Sequence, residues 1–244
     1  MAGHTNHTNI YDRLFVLDLD RCLITDRAYS VLDDVVVMSG IVHPDSFRKA
    51  RQEHEASGGS FDSISWLMRQ NGFSESQRNQ LLAQYIEQAQ RLGSDTLLAP
   101  GARAFLAKLQ DAAIPHMIMT YGGQTNQLAK LQAAGLESIP SMIVDHKNKA
   151  DYIAKWWDEI AGLYTIPMGS NNLIQVRTVI LVDDKATAFT NLLPAPFARG
   201  YWVQFGELLL SQEGPVPSNV TPVKSFQEIF HREKHNFINN TTFL

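Results

Sequence analysis

Acidic residues follow two short apolar segments of this sequence. The first segment leads into Asp18 and Asp20, and a later one ends at Asp183 and Asp184. Clustered carboxylates repel one another and need a cation, and hard oxygen ligands of this kind favour Mg²⁺. If the fold brings the two segments side by side, these four acids are candidate ligands of a magnesium site.

A hydroxyl and two lysines follow two further apolar segments. Thr120 ends one of them and is followed by Tyr121 and Gly122, while Lys147 and Lys149 come after the other. A metal ion, a lysine and a hydroxyl form a site for a phosphoryl group, whose transfer depends on positioning and charge neutralisation. In such a site one carboxylate can act as the nucleophile, and a second one two residues on can donate a proton and then activate water.

The segments that carry these residues are typical of strands buried on both faces of a parallel sheet. Predicted strands lie at 14–17, 115–120, 141–145, 178–183 and 201–205, and predicted helices between them at 101–112, 124–134 and 149–163. The alternation predicts an α/β fold with βαβ units and an open parallel sheet. Such sheets bind ligands beyond the carboxyl ends of their strands, so we expect the polar residues to converge there. The sequence leaves open whether segment 166–177 is an ordered insert.

A block of helical spacing, residues 25–97, interrupts this pattern after the first strand. Predicted helices lie at 28–38, 45–56, 61–70 and 75–92, and Ser74 with Gln77 forms a capping box before the last of them. We therefore expect an α/β core domain of residues 1–24 and 98–244, with residues 25–97 inserted as a helical domain.

Composition restricts the partners and the location. The chain has 244 residues and a net charge of −4, so no global basic field would attract nucleic acid or an anionic membrane. No run of 18 apolar residues is present, so we expect no membrane span. The single cysteine, Cys22, fits a reducing compartment and hence a cytoplasmic location. The oligomeric state is not indicated.

Four motifs in order resemble those of the haloacid dehalogenase-like (HAD) superfamily. The run LFVLDLDRCLI resembles its first motif, and MIMT, the lysine in HKNKADYIAKW, and VILVDD are similar to the second, third and fourth. The resemblance covers about residues 12–205 and implies a Rossmann-like core with a helical cap at 25–97. Two positions depart from the family pattern: Arg21 stands where Gly or Asn is usual, and Cys22 where Thr or Val is usual. Arg21 would point into the site or lie at its rim.

The resemblance also implies roles for the acids. Asp18 would be the phosphoryl-accepting nucleophile and a metal ligand. Asp20 would be the general acid and base, and its backbone carbonyl would contact the metal ion. Asp183 and Asp184 would complete the magnesium site.

For the phosphoryl group, the resemblance implies contacts from two other motifs. The hydroxyl of Thr120 would bind it, helped by backbone N–H groups at Tyr121 and Gly122. Lys149 would neutralise charge between the nucleophile and the phosphoryl group. Lys147 is the competing choice, but Lys149 directly opens the next predicted helix.

Together these features predict a Mg²⁺-dependent phosphatase that acts on a small phosphorylated metabolite through an aspartyl-phosphate. A phosphomutase would use the same core and return the phosphoryl group to a sugar. A dehalogenase needs the nucleophile Asp18 but neither a metal ion nor an acid two residues on, so Asp20 and the Asp183–Asp184 pair argue against it. A non-catalytic binding or regulatory module would be indicated by the loss of Asp18, Asp20 or Asp184, and none is lost.

Overall fold

A computed structural model describes residues 10–56, 61–70, 72–169, 172–205 and 216–237. The strands are β1 (Ile10–Leu17), β2 (His116–Tyr121), β3 (Ser141–Val144), β4 (Trp157–Asp158), β5 (Leu163–Pro167), β6 (Leu173–Asp183), β7 (Ala198–Val203) and β8 (Val220–Val223). The helices are α1 (Asp26–Met38), α2 (Pro44–Ala56), α3 (Ser63–Met68), α4 (Glu75–Leu92), α5 (Ala102–Asp111), α6 (Gln124–Ala133), α7 (Ala150–Ala154) and α8 (Phe226–Phe237). Within these ranges, no helix is both long enough and apolar enough to span a membrane.

The strands form one sheet, and six of them run parallel in the order β3-β2-β1-β6-β7-β8. β6 is long enough to pair with two strands along one of its edges. Its first residues pair antiparallel with β5, and its last residues pair parallel with β7. β4 continues the antiparallel side beyond β5. The predicted α/β class with a mainly parallel sheet is confirmed.

The later residues of the central strands, 14–17 in β1 and 179–182 in β6, are apolar because both faces of the sheet are covered there. Phe15 and Leu17 of β1 belong to one buried cluster, whereas Leu14 and Val16 belong to another on the opposite face. Residues of β6 divide between the two clusters in the same alternating way. The strand ends are therefore fixed on both faces, which holds the residues that follow them in place.

The first four helices after β1, α1–α4, share their apolar core with one face of the sheet. Val31 of α1, Leu67 of α3 and Leu81 of α4 lie in the same buried cluster as Phe15 and Leu17. Helices α3 and α4 also pack on α6, the helix that follows the end of β2.

The helix predicted over 149–163 is wrong beyond its first turn. α7 ends at Ala154, and β4 and β5 form a hairpin in its place. The reason is local turn chemistry. The Asp158 carboxylate accepts hydrogen bonds from the backbone N–H groups of Ile160 and Ala161 at 2.9 and 3.0 Å, which favours a tight turn over a helix.

Other boundaries are shifted. The strand predicted at 201–205 begins at Ala198 and ends at Val203, and the short strand β8 was not predicted. The helix predicted over 61–70 is limited to α3. The segment left open, 166–177, pairs as the β5–β6 hairpin in its described residues. The predicted capping box at the start of α4 is present.

Replacing Gly123 with alanine is expected to disturb the packing of α3 on α6. A Cβ atom at this position would overlap the Asp62 carboxylate, which caps α3 and accepts hydrogen bonds from Ser65. We expect a loss of about 1–3 kcal/mol in the free energy of unfolding, measured in urea. The double variant Gly123→Ala/Asp62→Ala should lose less than the sum of the two single variants, because the steric partner is gone. Additive losses would contradict the proposed overlap.

Candidate active site

Three carboxylates meet where the two central strands end. Asp18 directly follows β1, Asp183 is the last residue of β6, and Asp184 comes next in the chain. The strands are neighbours in parallel register, and the Asp18 N–H donates to the carbonyl of Val182 at 2.9 Å. All three side chains are buried, and one ligand oxygen from each lies within 4.8 Å of the others. The acids of the first and fourth motifs therefore form one cluster.

Burial makes this cluster electrostatically costly. Burial raises the pKa of Asp18 to about 7, although the nearby ammonium of Lys149 acts to lower it. The charges of Asp183 and Asp20 also raise this pKa. Burial and the charge of Asp18 raise the pKa of Asp184 to about 6. The pKa of Asp183 is also raised, again first by burial. A site that concentrates buried, mutually repelling oxygen ligands suits a divalent cation.

Lys149 supplies the buried positive charge at the centre of the cluster. Its ammonium contacts both Asp18 and Asp183. Burial alone would lower the pKa of Lys149, but these two carboxylates together raise it above the usual value. Lys149 immediately precedes α7, and its side chain extends to the acids at the strand ends. Lys147 instead lies 6.0 Å from the centre of the Tyr121 ring, so the structure brings Lys149 rather than Lys147 to Asp18.

Thr120 lies near the end of β2, the strand beside β1. Its side chain is fully buried, and its hydroxyl has no hydrogen-bond partner among the described residues. Buried hydroxyls are normally paired, so this oxygen is suited to a ligand. Gly122 follows with a φ of +148°, and the side chain of Gln127 fills the space that a Cβ would need. The loop then opens directly into α6, whose N-terminus favours an anion.

Asp20 occupies a separate position beside this cluster. Its carboxylate is not among the three grouped ligands. It accepts hydrogen bonds from Lys130 at 3.0 and 3.1 Å and from Gln127 at 2.9 Å, both on α6. Tyr29 of α1 lies beside it: burial, and after it the charge of Asp20, raises the pKa of the Tyr29 hydroxyl. No pattern in the sequence indicates these neighbours of Asp20. In the structure, Gln127 and Lys130 lie three residues apart on the buried face of α6.

Solved structures of similar fold include proteins assigned as HAD hydrolases and one assigned as a phosphomutase. A protein from Burkholderia xenovorans, assigned as a haloacid dehalogenase-like hydrolase, has a TM-score of 0.55 and 16% identity, over 92% of this chain and 98% of that one. A Bacillus subtilis protein assigned as a HAD hydrolase, bound to magnesium, has a TM-score of 0.55 and 14% identity, over 92% and 99%. A Thermotoga maritima protein assigned as a β-phosphoglucomutase has a TM-score of 0.51 and 17% identity, over 92% and 99%. No protein-family model and no curated protein matches the chain.

The likeness extends over nearly the whole length of each protein. The fold is haloacid dehalogenase-like. In this HAD-like chain, Asp18, Thr120, Lys149 and Asp183 all come from the carboxyl ends of the strands or from the loops just beyond them. That is the edge at which open α/β sheets bind ligands.

The two departures from the family pattern leave this edge of the HAD-like sheet intact. Arg21 adopts a positive φ of 61° and pairs with Asp26 at 2.9 Å, with half of its side chain exposed. It therefore lies at the rim. Cys22 is fully buried within the apolar cluster, where it fills the space of a small apolar residue.

Proposed function

We propose that the chain is a Mg²⁺-dependent HAD phosphatase that hydrolyses a small phosphorylated metabolite through an aspartyl-phosphate on Asp18. The contact of Lys149 with both Asp18 and Asp183 carries the proposal. It sets a buried cation against a carboxylate nucleophile, within the group of acids that would hold a metal ion. We also propose a cytoplasmic location, in keeping with the single buried thiol of Cys22.

The residues that would hold magnesium are the three clustered acids, Asp18, Asp183 and Asp184, with the backbone carbonyl of Asp20. Their fit rests on the oxygen-only donor set and on the raised pKa values that burial and mutual repulsion impose. When bound, Mg²⁺ neutralises the negative charge on the phosphoryl oxygens. The loop Thr120–Gly122 would hold the remaining oxygens through the unpaired hydroxyl and the backbone N–H groups.

In the first step, an oxygen of Asp18 attacks phosphorus while Lys149 keeps the carboxylate oriented. The new bond joins this oxygen to phosphorus, and the bond from phosphorus to the leaving oxygen breaks. Asp20 donates a proton to the leaving oxygen, which receives the electron pair of the broken bond. The dephosphorylated metabolite then leaves.

In the second step, the same groups work in reverse. Asp20, now a carboxylate, accepts a proton from water, and the water oxygen attacks phosphorus. The bond between Asp18 and phosphorus breaks, which restores the free carboxylate and releases inorganic phosphate. The two-residue spacing of Asp18 and Asp20 lets one carboxylate hold the phosphoryl group while the other handles the proton.

We further propose that residues 25–97 act as a cap domain over a core of residues 1–24 and 98–244. Support comes from the contact between the Tyr29 ring of α1 and the ammonium of Lys130 on α6, and from the packing of α3 and α4 on α6. A cap in this position would exclude water during transfer and select the metabolite.

A screen of phosphorylated metabolites with and without Mg²⁺, followed by phosphate release, tests the function. We expect release from at least one sugar or carboxylic-acid phosphate with Mg²⁺, its loss on chelation, and its return when Mg²⁺ is added back. Isomerisation of a sugar phosphate without net release would instead identify a phosphomutase. The absence of both, with a metal-independent release of halide from a haloacid, would contradict the proposal.

A further inference from the structure

Lys130 is a buried lysine that the proposed reaction does not use. It lies on α6, and its side chain is 1% exposed. Its ammonium reaches both carboxylate oxygens of Asp20, at 3.0 and 3.1 Å. No other carboxylate pairs with it among the residues that the structure describes. A buried ammonium is costly unless it is paired, so the lysine and Asp20 are tied to each other.

The contacts around this pair come from two sides. From α6, Gln127 donates to Asp20 at 2.9 Å and to the carbonyl of Tyr121 at 3.0 Å. From α1, the centre of the Tyr29 ring lies 4.0 Å from the ammonium of Lys130. Burial, and after it the charge of Asp20, raises the pKa of the Tyr29 hydroxyl, which places this hydroxyl beside Asp20. The Asp20 carboxylate is thus held by the sheet domain and by the inserted helices together.

Asp20 depends on such a support because its carboxylate has no place in the acid cluster at the strand ends. The carboxylate stands apart from the three clustered acids, in a turn just after β1, and it is 16% exposed. A proton donor has to lie within hydrogen-bond reach of the leaving oxygen. Contacts to both oxygens fix the rotation of the carboxylate as well as its position.

We propose that Lys130 is the positioning residue that holds Asp20 toward the leaving group, an inference that rests on the phosphatase function proposed above. As the phosphoryl group is transferred to Asp18, the proton of Asp20 passes to the leaving oxygen. Lys130 remains bonded to the carboxylate that is left, and keeps it in place to accept a proton from water in the second step.

The test uses the full chain with Lys130→Met, which keeps the length of the side chain and removes its charge. First-turnover release is compared for p-nitrophenyl phosphate, whose leaving group departs without a proton, and phenyl phosphate, whose leaving group needs one. We expect about a 10- to 100-fold loss with phenyl phosphate and less than about a 3-fold loss with p-nitrophenyl phosphate. Equal losses with both substrates would show a merely structural role and overturn the proposal.

A second measurement uses non-additivity. If Lys130 acts through Asp20, adding Lys130→Met to Asp20→Asn should change the release from phenyl phosphate little beyond the single Asp20→Asn loss. Multiplied losses would count against the proposal. Wild-type protein without Mg²⁺-dependent release would instead refute the phosphatase function itself, and full activity in Asp18→Asn would refute its aspartyl-phosphate mechanism.

Two tyrosines of the inserted helices provide a matched pair in case Lys130→Met does not fold. Tyr29→Phe removes the hydroxyl beside Asp20, and it should lower phenyl phosphate release selectively. Tyr85→Phe removes a buried hydroxyl of α4 that has no hydrogen-bond partner in the described ranges. It should leave the ratio of the two substrates unchanged. If the ratio of release from phenyl phosphate to release from p-nitrophenyl phosphate were the same in both variants, the proposed support of Asp20 would be overturned.

Discussion

The variant Asp18→Asn is expected to lose phosphatase turnover almost completely while remaining folded. The amide of asparagine is a poor nucleophile and brings no negative charge to the metal site. Removing the nucleophile of a covalent mechanism costs on the order of 10⁶-fold in turnover. Initial rates with p-nitrophenyl phosphate and Mg²⁺ measure the loss, and circular dichroism shows whether the fold is kept.

The fold should tolerate this change because it removes charge from a crowded site. Burial raises the pKa of Asp18 to about 7, so ionisation of this carboxylate is unfavourable in the folded chain. Lys149 would keep Asp183 as its partner. Asp12→Asn is the control. Asp12 lies on β1, the strand that leads to Asp18; it is exposed and pairs only loosely with Arg177 at 4.0 Å. The rate of this variant should therefore be unchanged. Wild-type turnover in Asp18→Asn would exclude an aspartyl-phosphate and require direct attack by water.

The variant Asp20→Asn should reduce turnover by about 10²- to 10⁴-fold, the usual contribution of general acid–base catalysis. It keeps the proposed nucleophile Asp18 and removes only the group proposed to donate and accept the proton. With p-nitrophenyl phosphate the first step needs no proton, so phosphoenzyme should form and then persist. Mass spectrometry of the intact protein after rapid acid quenching measures its amount.

The comparison with the nucleophile variant makes this result specific. Asp18→Asn should yield no phosphoenzyme under the same conditions, and the double variant should also yield none. The trapped group should map to the peptide that contains residue 18. If Asp20→Asn turned over at the wild-type rate, Asp20 would have no role in proton transfer.

Much of the sheet was predictable because its central strands are buried on both faces. Such strands are continuous apolar runs, and in β1 and β6 the acids that follow mark where each run ends. The shorter outer elements lack this signal. β8 has only four residues, including a proline, and the β4–β5 hairpin depends on the turn formed by Asp158. Helical spacing in the sequence could not reveal that turn.

The residues of the candidate site also differ in how well the sequence predicts them, and for the same physical reason. Residues such as Asp18, Thr120 and Asp183 were identifiable because topology alone takes strand ends to one edge. Lys130 was not, since an isolated lysine in a helix usually lies on a solvated face. Its burial depends on the helices α3 and α4 that cover α6, and that packing is a tertiary contact which no local pattern encodes.

The position of β1 between β2 and β6 has a consequence for how the chain folds. Leu14 pairs with Val179, so most of the polypeptide lies between the two partners. Non-local pairing of this kind slows folding, because a long loop must close before the contact stabilises anything. During synthesis, β1 would stay unpaired along one edge until β6 emerges from the ribosome. Its apolar run is therefore the segment that we expect chaperones to bind in the nascent chain.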